Sequence, residues 1–191
     1  MGLLVAGVVL WSLVHLSPAL VPGARDAMVT RIGEQAFKGL FAGTILIALV
    51  LMVVGWRNTA VDLVYVPPIA GGPIVPLLMF VSFYLLAAAN APGNTKRLLR
   101  HPMLLGTIVW AFAHLLANGE NRSVVLFGGL GLWALAEIIM INRRDISYSP
   151  PDPVPASREL ITVVATVIVY TVFLYLHRLL FGVSPVPGLF A

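Results

Sequence analysis

Long unbroken apolar runs dominate the chain, in place of the alternation of a half-buried strand or the sparse stripe of a soluble amphipathic helix. Six such runs, at residues 3–21, 36–56, 73–91, 102–117, 124–141 and 160–181, approach membrane-spanning length. A helix needs roughly 20 residues to cross a bilayer core of about 30 Å. The pattern predicts an all-α integral membrane protein, a bundle of about six transmembrane helices in a single domain that uses most of the chain. The fourth run is short and interrupted by polar groups, so tilt or an extension back through residues 96–100 is expected. The first run lacks a basic leader, and Arg25 and Arg31 follow it, which fits a retained helix rather than a cleaved signal.

Composition sharpens this reading. Of 191 residues, 59% are hydrophobic and only 10% charged, against roughly 25% charged in soluble domains. The lipid bilayer is therefore the first partner. Nine of the twelve basic residues fall in the loops after runs one, three and five: Arg25, Arg31, Lys38, Lys96, Arg97, Arg100, Arg143, Arg144 and Arg158. The positive-inside rule then places both termini on the non-cytoplasmic side. The net charge of +4 is a topology signal and implies no nucleic-acid partner. Without cysteine, neither disulfides nor thiolate ligands are available. Gly39 with Gly43, and Gly128, Gly129 and Gly131, are expected where helices approach closely. The proline-rich stretch 149–155 reads as a stiff connector.

Chemistry is expected at ionisable groups within the apolar runs, because such groups are costly there. Three of them, His15, His114 and Glu137, follow a tryptophan by four residues: Trp11, Trp110 and Trp133. That spacing puts each pair on one helix face, where the indole can wall a flat cofactor or simply fill the core. A metal or haem iron would satisfy one nitrogen of a buried imidazole, and histidine is the usual axial ligand of b-type haem. Glu137 needs a partner, with His15, Arg100 and His101 as candidates. At the entrance of the fourth run, Arg100 and His101 precede Pro102, a favourable helix start, and can contact an anion or substrate. His177, beside Arg178, reads as an interfacial group. Counting about 1.5 Å per residue, His114 lies on the order of 10 Å further from the basic loops than His15.

The residues His15-Leu-Ser-Pro18, Arg31-Ile-Gly-Glu-Gln-Ala-Phe-Lys-Gly-Leu-Phe41, Asn94, Arg100-His-Pro-Met-Leu-Leu-Gly106, Trp110-Ala-Phe-Ala-His114, Asn118-Gly119 and Leu126-Phe-Gly128 resemble the NnrU family of bacterial membrane proteins. Through that family the chain resembles plant and cyanobacterial 15-cis-zeta-carotene isomerase. The resemblance implies a bacterial inner-membrane protein that binds haem b, with His15 and His114 as axial and metal ligands; Trp11, Trp110 and Glu137 are the cofactor surroundings that the helical spacing suggests. It also implies redox, small-gas or isomerase-like chemistry, linked to denitrification or to apolar substrates. The isomerase's alternative cysteine ligand falls on Ala111 here, so ligand exchange through a thiolate is absent. The segment from Arg100 to Gly106 also resembles membrane methyltransferases that use S-adenosylmethionine, although their tyrosine position is Leu104. A non-enzymatic accessory or assembly factor for a respiratory nitrite or nitric oxide reductase complex is the third expectation.

Overall fold

The computed structural model describes residues 1–21, 23–69 and 72–186. The chain is an all-α membrane protein. Its helices are α1 (Gly2–Leu20), α2 (Ala24–Ile32), α3 (Glu34–Asn58), α4 (Ile74–Asn90), α5 (Thr95–Leu98), α6 (Pro102–Ala117), α7 (Asn121–Ser123), α8 (Gly129–Arg144) and α9 (Ala156–Phe181), with a π-helical stretch (Val124–Gly128) joining α7 to α8. Four helical segments are long and apolar enough to cross a membrane: Gly2–Leu20, Glu34–Asn58, Asn121–Arg144 and Ala156–Phe181. α4 and α6 are apolar but shorter, with 17 and 16 residues. Leu46, Ile47, Val50 and Val53 of α3 are each more than half exposed. A water-soluble fold would bury such a face, whereas lipid solvates it.

Several expectations change. The fourth span is not extended through residues 96–100, because the chain leaves the helical conformation at His101 (φ −126°, ψ 58°). Proline disfavours helix at the residue before it, and Pro102 occupies the first turn of α6, where its missing N–H costs nothing. Pro18 lies inside the last turn of α1 and does not follow the helix. The polar segment after it forms α2, with no buried residue. Gly33 (φ 83°) separates α2 from α3 in a conformation that side chains rarely adopt. Pro22, Ala70, Gly71 and residues 187–191 lie outside the described residues.

The helices divide into two compact units. The first spans residues 1–65 and 119–146, and is built on α1, α3 and α8 with a core of Leu4, Val8, Ala48 and Met52. Its closest approaches are at Gly7, where a Cβ would lie 2.8 Å from Ala48 O, at Gly55 (2.3 Å from Leu4 N) and at Gly129 (2.5 Å from Val8 Cγ1). The expectation for Gly39, Gly43 and Gly128 is corrected, since no atom of a neighbouring element lies within 4 Å of a Cβ built there. Those glycines are apolar filler on open faces, and the sequence has no marker for which face meets a neighbour. Gly55→Ala is expected to force α1 and α3 apart at a cost of about 1–3 kcal/mol. The measurement is the Tm of the detergent-purified protein, and an unchanged Tm would refute this packing.

The second unit spans residues 66–118 and 147–191. Within its described part, α4 packs on α6 where Ser82 Oγ donates to Gly106 O (2.8 Å), and α9 joins α4 where Tyr170 OH donates to Pro76 O (2.8 Å). A hydroxyl given to a backbone carbonyl costs little inside a bilayer and fixes the register of two apolar helices.

Candidate functional site

In the first unit, α1 carries Trp11 and His15 on one face and α8 carries Trp133 and Glu137. The His15 ring lies 4.3 Å from the Trp11 ring, 5.0 Å from Trp133 and 5.7 Å from Phe41, so aromatic rings surround it. Its Nδ1–H donates to Trp11 O at 2.8 Å. A carbonyl only accepts, so Nδ1 carries a proton, and in the neutral ring the lone pair is then on Nε2. The carbonyl one turn back thus serves one of the two ring nitrogens. Glu137 is within electrostatic reach of His15, ahead of Arg144. His15 is thus the partner the structure supplies among those expected.

Three polar atoms here are buried without a well-formed hydrogen bond among the described residues: Trp11 Nε1, Trp133 Nε1 and Glu137 Oε2. Trp133 is only 8% exposed. Trp133 and Glu137, one turn apart on α8, partner each other, which leaves the Trp11 indole N–H as the buried donor beside the imidazole that a polar partner would satisfy.

In the second unit, α6 repeats the pattern. The rings of Trp110 and His114 are 5.1 Å apart, and His114 Nδ1–H donates to Trp110 O at 2.9 Å. Its Nε2 likewise carries the lone pair. Asn118 Nδ2 donates to His114 O (2.9 Å) and closes the helix end. His114 lines a cavity of about 220 Å³ together with Phe83, Tyr170, Phe173 and His177. The interfacial reading missed this role of His177. Its cause is Gly182, whose left-handed conformation (φ 76°) ends α9 and lets the tail fold back, so that His177 Nδ1–H donates to Val183 O (2.9 Å). No sequence signal beyond the glycine marks that return.

The basic end of the second unit holds a further cluster that sequence reasoning missed. Glu159, in the first turn of α9, accepts from Tyr84 OH, Thr95 Oγ1 and the backbone N–H of Asn94 (2.7 Å). Asn94 pairs with Val154 in both directions, at 2.8 and 3.0 Å. Arg100 stacks its guanidinium on the Tyr148 ring, 4.6 Å from the centroid, and His101 stands at the N-cap of α6. The structure therefore gives Arg100 an aromatic partner, which holds it at the helix entrance.

A family described as NnrU protein matches residues 3–185. Over 147 residues the chain is 31% identical to the chloroplastic 15-cis-zeta-carotene isomerase of Arabidopsis thaliana, covering 66% of this chain. The match takes in 39% of that protein's length. No solved structure matches the chain.

Proposed function

The chain belongs to the NnrU family, and from that premise we propose that it is an isomerase-like protein of a bacterial inner membrane. Its cofactor is haem b, for which His15 of the first unit and His114 of the second are the candidate ligands, and it acts on an apolar substrate admitted from the bilayer. The observation that supports this reading best is the matched presentation of the two imidazoles. Each gives its Nδ1–H to the carbonyl one turn back, at 2.8 and 2.9 Å. A hydrogen bond from the far nitrogen is the support that metal-ligating histidines usually carry, and it raises the basicity of the ligating nitrogen.

When bound, the haem supplies an iron centre for redox or ligand-binding chemistry. The chain's own residues supply the surroundings. His15 and His114 would hold it, Trp11 and Trp110 would wall it, and the buried Trp11 indole N–H would donate to a polar substituent or water. The aromatic cavity beside His114 has room for a small apolar group of a substrate, and among the described residues no acidic or basic side chain other than imidazole lines it. Apolar walls exclude water and fit a hydrocarbon better than an anion.

A conjugated cis-polyene is the substrate class this wall suits, and 15-cis-zeta-carotene is the probe that the relative's name supplies. Haem-loaded protein in liposomes is expected to shift the isomer ratio of that probe, followed by chromatography, and His114→Ala is expected to abolish the shift. An unchanged ratio with loaded wild-type protein would refute the isomerase part of the reading.

A further inference from the structure

The first unit contains a groove whose chemistry the site above does not use. It has a volume of about 410 Å³ and is lined by Pro18, Met28, Phe37 and Phe41 on its apolar side and by Arg25 and Lys38 on its charged side. Pro18 lies one turn after His15 on α1, and Phe41 is the same ring that packs 5.7 Å from the His15 imidazole. The groove therefore begins where the His15 cage ends and runs toward the end carrying the basic loops.

We infer that this groove takes the carboxylate-bearing edge of the haem, with Arg25 and Lys38 receiving its propionates. The inference rests on the haem reading and assigns residues that reading leaves open. Haem b is an apolar disc with two carboxylates on one edge, and in a bilayer that edge belongs at a cationic interface. The cavity beside His114 holds about 220 Å³, below the roughly 300 Å³ at which ligand pockets begin. Among the described residues no lysine or arginine lines it. The groove beside His15 combines ligand size, aromatic walls and two cations.

Both cations are free to change partners at little cost. Arg25 pairs with Asp26 at 3.3 Å and Lys38 with Glu34 at 2.9 Å, and all four side chains are more than half exposed. Such surface pairs contribute at most about 1 kcal/mol. The guanidinium also sits 5.8 Å from the Phe37 ring centroid, which aims it along the apolar wall. An anionic phospholipid headgroup is the competing occupant, because basic residues at a membrane surface attract it as well. The aromatic path to His15 favours the haem edge, since a headgroup has no use for a ring-lined route into the helix pair.

The experiment is an absorption titration of the whole chain, in nanodiscs of phosphatidylcholine, with hemin and with hemin dimethyl ester. The ester keeps the iron and the disc but has no carboxylates. Wild type is expected to bind hemin about tenfold more tightly than the ester, because two exposed charge pairs form only with the free carboxylates. The double variant Arg25→Gln/Lys38→Gln is expected to lose that preference while binding the ester as wild type does. Retained ester binding shows that the variant folds. Equal binding of both ligands by wild type, or an undiminished preference in the variant, would overturn the inference and leave the haem reading standing. The inference falls in the same way if the variant's only change is less phosphatidylglycerol retained from mixed nanodiscs. No uptake of either ligand by wild type would remove the haem reading itself.

Discussion

Glu159→Ala is expected to destabilise the second unit by about 2–4 kcal/mol, the largest stability loss of any single polar substitution in it. The carboxylate accepts from Tyr84 OH, Thr95 Oγ1 and Asn94 N–H, three donors contributed by α4, by the first residue of α5 and by the residue before it. Hydrogen bonds to a charged acceptor contribute about 1.5–3 kcal/mol each, and partial access of water to this half-buried site reduces the total. The same contacts seat Asn94, whose side chain holds Val154 of the proline-rich connector. Losing Glu159 therefore loosens three elements at once. Glu159→Gln retains an accepting oxygen but turns an N–H group toward the donors, so it falls between alanine and wild type. A Tm series in detergent, with trypsin cleavage after Lys96 and Arg97 as a local probe, reads both effects. Wild-type Tm and cleavage in the alanine variant would show that the cluster holds nothing together.

His15→Ala and His114→Ala are each expected to lower haem affinity on the order of 100-fold or more, since even an outer-shell partner of a metal ligand contributes 10–100-fold. The two changes differ in their side effects. His15 is caged by Trp11, Trp133 and Phe41, so truncation leaves a void in the first unit and costs stability. His114 faces a cavity already present in the second unit, and its loss costs less. Free imidazole added to the titration is expected to return affinity to both variants, because it replaces the missing ligand. Recovery in neither would mean that the histidines only pack.

Much of this architecture is legible in the sequence, because a bilayer demands long apolar helices and the chain supplies six runs of the right kind. The tryptophan-to-histidine spacing is equally legible: residues four apart share a face wherever the helix is regular, and α1 and α6 are regular there. Contacts that depend on which faces meet are not legible. Glu159 reads as an ordinary acid in the first turn of a helix, yet its partners lie 64 to 75 positions away. Gly7 and Gly55 carry the tightest contacts between α1 and α3, while the more conspicuous Gly39 and Gly43 carry none. The tautomer of the two imidazoles also lies beyond the sequence, because it is set by a backbone carbonyl that every helix possesses.

If His15 and His114 are iron ligands, the protein itself is coloured. Its visible absorption spectrum is therefore the decisive observation, taken on wild type purified in mild detergent from cells supplied with haem precursor. A Soret band is expected, with the visible bands of a six-coordinate, low-spin iron, reduced to a five-coordinate spectrum or lost in either histidine variant. A colourless wild-type protein that also fails to take up added hemin would contradict iron ligation by this pair.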